Sequence, residues 1–293
     1  GAHCSRPTTP HTTRHQTADL SSRPHKRASV NDNSISSRLR AGDAAGVWLS
    51  LASPTVAEVV AGTEPAFVVA DREHTAASVE TVERITRAVD AAPGETVTLA
   101  RVAWNDPVRI KRVLDTGVAG VIAPQVETAD EARAFVDATR YPPDGERGLA
   151  AGRASEYGET LADYYATAGD RLATVVQIES PTAVDNVASI SAVDGLDSLF
   201  VGPADLSASL DVFGAYDSEP FREAVTEVLD HSDVPVGTLA VAPEQVDRWR
   251  ELGFDYQVVA ADVSALQRGV TESLSRSISR LRRTASSPAV RTW

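Results

Sequence analysis

Thr174–Leu210, TVVQIESPTAVDNVASISAVDGLDSLFVGPADLSASL, contains two short apolar runs that each stop at a carboxylate. TVVQI ends at Glu179, and SLFVG is followed by Asp205, with a segment between them that reads as a helix. Strand, helix, strand is a parallel crossover unit, and parallel neighbours lie about 5 Å apart and run the same way. Glu179 and Asp205 are therefore expected side by side at one rim of a sheet, at a spacing that suits a shared cation. Gly202-Pro203 makes the turn after the second strand, and Ala204, Asp205 and Leu206 then offer backbone N–H groups beside the Asp205 carboxylate. That corner suits a hard divalent metal with a small anion next to it. In the alternative reading both carboxylates are helix caps, since Ser180-Pro181 and Asp205-Leu206-Ser207 look like helix starts.

The same alternation extends over most of the chain. GVWLSL, FVVAD, VTLARV, GVIAPQV, TVVQIE, SLFVGP, VPVGTLA and YQVVAAD read as eight strands. Between them, segments such as SVETVERITRAVDAA carry apolar residues at helical spacing. Eight such units make an α/β protein with a (β/α)8 TIM barrel the expected fold, over residues 43–284. An open doubly wound sheet is the alternative, but no glycine-rich phosphate loop follows the first strand. A longer excursion after the fourth strand, Tyr141–Gly169, is expected at the C-terminal rim, where long insertions shape sites.

Composition narrows the functional classes. The formal charge of -13 is unevenly spread: residues 1–40 carry +5 and the remainder -18. A body so acidic excludes nucleic acid and anionic membrane as partners. Lys26 and Lys111 are the only lysines, against 41 Asp and Glu, a balance that suits a halophilic source. Cys4 is the single cysteine, so no disulfide framework exists. No apolar run approaches the ~20 residues of a membrane span, and the expected compartment is the cytoplasm. Residues 1–42, rich in Ser, Thr, Arg and His, read as a disordered basic tail, and residues 285–293 as a flexible C-terminus.

Several residues stand out chemically. Arg101 interrupts the apolar run TLARVAW, where a charge is normally excluded, and reads either as a planar fork for a carboxylate or enolate or as a structural ion pair. Asp71, Glu73 and His74 close the second strand. Outside the tail the only histidines are His74 and His231, and His74 alone lies at a strand end beside acids, so it is the candidate acid or base. Gln177 shares a strand face with Glu179 and suits either the metal shell, the substrate or a core hydrogen bond. Trp48 and Trp104 read as rim packing.

VQIES followed by DGLDSLFVGPADLSASL resembles the metal-dependent pyruvate aldolases of the HpcH/HpaI aldolase and citrate lyase family. The likeness runs in order from about Gly46 to Leu281, through GVWLSLASPTVAEVVA, DREH, ARVAWNDPVRIKRVLDTG, ATRYPPDGERG and GRAS. It implies a phosphoenolpyruvate/pyruvate-type barrel that reversibly cleaves a 4-hydroxy-2-oxo acid to pyruvate and an aldehyde through a metal-stabilised enolate, in aromatic or sugar acid catabolism. By resemblance, Glu179 and Asp205 hold Mg2+, Mn2+ or Co2+, and Arg101 grips the oxo acid. Glu73 and His74 form a catalytic dyad with Asp71 beside them, and Gln177, Gly202, Pro203 and Ala204 contact substrate. The final helix is implied to pack on a neighbouring subunit of a homo-oligomer, a hexamer. The family usually has a small residue where this chain has Arg72, which sets a bulky cation beside the dyad. A coenzyme A ester lyase of the citrate lyase group and a non-catalytic oxo-acid-binding barrel are the alternatives.

Overall fold

The computed structural model describes Gly1 and residues 34–285. Residues 2–33 of the expected tail, with Cys4 and four histidines, lie outside the described residues, as do residues 286–293 of the expected C-terminus. Eight parallel strands close into a barrel in sequence order. They are β1 (Ala45–Leu49), β2 (Phe67–Asp71), β3 (Val97–Arg101), β4 (Gly120–Ala123), β5 (Ala173–Ile178), β6 (Ser198–Val201), β7 (Val236–Leu239) and β8 (Tyr256–Ala261). The strands expected from the apolar runs are the strands observed, and the open-sheet alternative falls because β1 pairs with β8.

Local chemistry starts the helices that follow the strands. Ser53 caps α2 (Pro54–Ala61), Ser78 caps α3 (Val79–Ala91), Asp106 caps α4 (Pro107–Leu114) and Thr128 caps α5 (Ala129–Thr139), each accepting a backbone N–H of the first turn. Proline at the first helical position recurs in α2 and α4, and it costs nothing there because that N–H has no helical partner. After α6 (Leu161–Arg171) and β5, the segment between Glu179 and Asp205 is two short helices instead of one, α7 (Pro181–Asp185) and α8 (Val187–Ser191). They meet at Asn186, whose side-chain amide donates to the Glu127 carbonyl at 2.8 Å. The outer layer is completed by α9 (Pro203–Ser209), α10 (Glu219–His231), α11 (Pro243–Leu252) and α12 (Asp262–Ala285).

Strand alternation divides the core into two. Leu49, Val68, Ala70, Ala100, Val121, Val176, Ile178 and Val201 face the helices. Trp48, Phe67, Val69, Leu99, Ile122, Val175, Phe200, Tyr256 and Val258 fill the barrel, with Trp48 stacked on Phe200 at 5.9 Å. Gly46 is required here, because a Cβ would fall inside the Phe67 ring.

Two placements differ from the sequence reading. Helix α1 (Ile35–Arg40) lies inside the segment read as tail, yet Ile35 and Leu39 are buried with the barrel-filling side chains. Arg40 Nε also donates to Asp197 at 2.6 Å, so residues ahead of the boundary that polar composition set pack with the barrel. The expected rim excursion, in turn, sits at the opposite end of the barrel from the strand C-termini. It begins after α5 has carried the chain back, and there Arg147 reaches Asp115 at the C-cap of α4 at 3.1 Å and Arg153 donates to the Thr116 carbonyl at 2.9 Å.

Candidate active site

The alternation that turns Phe67, Val69 and Leu99 inward also turns Asp71 and Arg101 inward, and these two are register partners on β2 and β3. Arg101 Nε donates to Asp71 Oδ1 at 2.9 Å and Nη2 to Oδ2 at 2.7 Å, a planar fork on a planar carboxylate. Nη1 lies 2.8 Å from Glu73 Oε2 and 3.5 Å from Gln177 Oε1, and the guanidinium carbon stands 4.7 Å from the centre of the Trp48 ring. Burial pushes the Asp71 carboxyl up, but the Arg101 fork and the Glu73 N–H outweigh it and hold it below the usual carboxylate range. Burial also works against the Arg101 charge, and the carboxylates of Asp71, Glu73 and Glu179 more than offset it. Arg101 is ion-paired to a barrel carboxylate, as the structural reading had it, and it also lines a cavity. Asp71, expected among the catalytic groups, has both oxygens committed to Arg101.

Glu179 follows β5 on the same inner face as Gln177, and it is buried. Its Oε1 accepts from both the backbone N–H and the side-chain amide of Gln125, each at 2.7 Å, and its Oε2 accepts from the Gln177 amide. Burial pushes this carboxyl up to about 7; the Gln125 N–H draws it down, Glu73 and Asp205 push it further up, and Arg101 opposes them. The cap reading fails for Glu179, because Ser180 caps α7 by accepting from Ala183 N at 3.2 Å. Asp205 sits in the first turn of α9, whose cap position, Gly202, has no side chain to offer. A Cβ at Gly202 would stand 2.8 Å from Gln177 Nε2 and 3.6 Å from Asp205 Oδ2, so glycine there makes room for both.

These groups border one cavity of about 430 Å3, lined by Trp48, Asp71, His74, Arg101, Gln177, Gly202, Pro203, Ala204 and Asp205, among others. Glu73 and Glu179 stand behind that wall, tied to it through Arg101 and Gln177. Trp48 is therefore a cavity residue and not rim packing, whereas Trp104 is exposed and outside the cavity. His74 is exposed, and its Nε2 lies 3.7 Å from Glu73 Oε2, too long for a hydrogen bond. Burial raises the Glu73 carboxyl, Arg101 and His74 oppose this, and Asp71 and Asp205 add to it. Arg72 does not crowd the pair: its Nε donates to the Ala77 carbonyl at 3.2 Å. Burial and then the like charges of Arg112 and Arg109 lower its pKa. His231 pairs with Glu227 on α10, and Lys111 lies on α4 outside the cavity.

Gln125 is the site residue that sequence reading passes over. It carries no charge and closes an apolar strand, and its one signal is a polar side chain at the rim that holds Asp71, Arg101 and Glu179. Among the described residues no group of three or more His, Cys, Asp or Glu side chains forms a closed metal cage. The donor set nevertheless fits a hard divalent cation. Glu73 Oε2 is buried with Arg101 Nη1 as its charged neighbour, and Asp205 pushes the Glu73 carboxyl up as Glu73 and Asp205 push up that of Glu179, a crowding of carboxylates that favours positive charge. Carboxylate oxygens are what such an ion takes, with water and substrate filling the rest of its shell.

Residues 44–268 match the family model for HpcH/HpaI aldolase/citrate lyase. The chain belongs to that family. A 4-hydroxy-2-oxovalerate aldolase of Novosphingobium aromaticivorans is 38% identical over 248 residues, 83% of this chain and 94% of that one. A 4-hydroxy-2-oxo-heptane-1,7-dioate aldolase of Salmonella arizonae is 38% identical over 254 residues, again 83% and 94% of the two chains. The crystal structure of an HpcH/HpaI aldolase/citrate lyase family protein from Burkholderia cenocepacia J2315 superposes with a TM-score of 0.80 at 38% identity, covering 84% of this chain and 99% of that one. As an HpcH/HpaI family member the protein is an aldolase-type lyase on a (β/α)8 barrel.

Proposed function

We propose that this family member cleaves a 4-hydroxy-2-oxo acid reversibly to pyruvate and an aldehyde at the cavity lined by Arg101 and Asp205, with Glu179 behind Gln177. The observation that carries the proposal is Arg101, a buried guanidinium locked by Asp71 and Glu73 yet lining a cavity rimmed by more carboxylate than it neutralises. Glu179 and Asp205 would hold a divalent cation, Mg2+, Mn2+ or Co2+, with Gln125 and Gln177 fixing the Glu179 carboxylate. Such an ion polarises the carboxylate and ketone of the oxo acid. Arg101 places a fixed positive charge where the ketone oxygen becomes an enolate oxygen, so its stabilisation grows as the reaction proceeds. His74 takes the 4-hydroxyl proton as the C3–C4 bond breaks; the bond's electron pair passes to the pyruvate fragment, and the aldehyde leaves. Protonation at C3 then gives pyruvate. Backbone of Gly202, Pro203 and Ala204 seats the carboxylate end of the substrate.

Among the described residues no lysine lines this cavity, so none of them offers an amine for a Schiff base. A second copy of the chain is the natural partner of α12, which exposes Leu266, Val270, Leu274 and Ile278 at four-residue intervals along one face. That stripe supports a homo-oligomer, and resemblance makes it a hexamer. The deciding measurement is loss of pyruvate methyl protons in deuterium oxide, with and without added metal. Metal-dependent exchange that chelator abolishes is expected. Undiminished exchange after exhaustive chelation, or turnover of a coenzyme A ester in its place, would overturn the reading.

A further inference from the structure

The cavity wall away from Arg101 and Glu179 has a character of its own. Tyr216, Gln245, Ser50 and Ser264 line it, half-buried. No hydrogen bond within the described residues engages the hydroxyls of Tyr216, Ser50 and Ser264. Gln245 uses its carbonyl oxygen to accept from Val241 N at 2.8 Å, which turns its amide NH2 outward as a free donor. The Tyr216 ring is held rigidly by Phe221 at 5.2 Å and Trp249 at 5.5 Å, so its hydroxyl has a fixed address. Between these groups Leu239 and Val241 supply apolar surface.

Charge sets the second constraint. Among the described residues the only guanidinium or ammonium group lining the cavity is that of Arg101, and Asp71 and Glu73 already claim it. Asp71, Glu73, Glu179 and Asp205 together outnumber it. A second carboxylate carried in on the aldehyde would meet repulsion from this set, the nearby Arg248 being paired with Asp217 and Arg268 with the Val241 carbonyl, while an alkyl aldehyde would leave the Tyr216 hydroxyl and the Gln245 amide unpaired.

We propose that the aldehyde partner is a neutral, hydroxylated aldehyde, bound through Tyr216 and Gln245 with its carbon chain against Leu239 and Val241. This rests on the aldolase reading of the site, and it names the substrate class that the reading leaves open. A short polyhydroxy chain offers both hydrogen-bonding oxygens and C–H faces, which is the mixture this wall presents.

The test compares kcat/KM for condensation of pyruvate with glyceraldehyde, propanal and succinic semialdehyde on the metal-loaded protein, alongside pyruvate proton exchange. Glyceraldehyde should exceed propanal by about 10²-fold or more, because a wall built of donors rejects a ligand that lacks the acceptors. Succinic semialdehyde should fall below glyceraldehyde as well. Tyr216→Phe should cut the glyceraldehyde-to-propanal ratio by about tenfold, the worth of one net hydrogen bond at its upper end, and Gln245→Leu should cut it independently. Propanal or succinic semialdehyde turned over as well as glyceraldehyde, or a ratio unmoved in both variants, would overturn this inference while leaving the aldolase intact. Absence of both exchange and condensation would sink the aldolase reading, and this inference with it.

Discussion

Each end of the barrel buries an arginine against a carboxylate and an aromatic ring, and the two differ in what is left over. At the end where the excursion packs, Arg147 stands 4.7 Å from the Tyr141 ring centre and 5.5 Å from that of Tyr164. It reaches one carboxylate, Asp115, at 3.1 Å. At the strand C-termini, Arg101 stands 4.7 Å from Trp48 and is claimed by Asp71 and Glu73, with Glu179 adding to the field. The first cluster roughly balances its charge within the fold. The second gathers an excess of carboxylate around a cavity, an arrangement that works against the folded chain until a proton or a cation joins it. A buried arginine is thus structural or functional according to the surplus around it, not according to its own burial.

The largest expected effect that sharpens this contrast is at His74, the exposed histidine of the C-terminal rim, proposed above as the base. His74→Ala should reduce aldol cleavage by about 10²- to 10⁴-fold, as for a general base, while sparing more of the pyruvate proton exchange. Equal losses in both assays would mean that His74 also handles the methyl proton. Next, Arg101→Lys should lower kcat for both exchange and cleavage by about 10²- to 10³-fold, because an ammonium keeps the charge but loses the fork. Gln125→Ala should weaken metal binding by about 10- to 100-fold in a calorimetric titration, the usual effect of removing a group that orients a ligand. Unaltered affinity would detach Glu179 from the ion.

A pH effect follows from the Glu179 carboxyl, which burial holds up at about 7 in the metal-free protein. Below that pH the folded chain carries a proton there that the cation must displace, so affinity should rise with pH through 7 and level off above it. Calorimetry in buffers of different ionisation heats should record proton release near neutrality and none well above it. Smallest for function, Arg147→Lys should lower the urea midpoint by a stability loss of about 3 kcal/mol, since it breaks a buried pair and two ring contacts. Metal affinity should not move. If it does, the two arginines are not separable and the contrast fails.

How far the site was legible depended on the residue. Glu179, Asp205, Arg101 and His74 stood out because each is a charged or titratable group at the end of an apolar run, and alternation then sends strand residues to a definite face. Gln125 and Tyr216 gave no such signal. A neutral amide and a ring become site residues only through neighbours distant in sequence, Gln125 through Glu179 and Tyr216 through the cavity it lines. Arg72 misled in the opposite direction: adjacency to Glu73 suggested crowding, but its hydrogen bond to the Ala77 carbonyl carries the guanidinium away.

From the sequence alone came the eight strands, their order, and the rim at which their carboxylates collect, because the period of apolar residues and the polar caps after each strand are local properties of the chain. Tertiary structure alone decided which end of the barrel the excursion meets, since α5 reverses the chain first. It also decided that Ile35 and Leu39 leave a polar segment to join the interior, where burial of two aliphatic side chains outweighs composition. The same holds for Asp71, whose role follows from facing Arg101 across one strand spacing, a relation that exists only when β2 and β3 are paired.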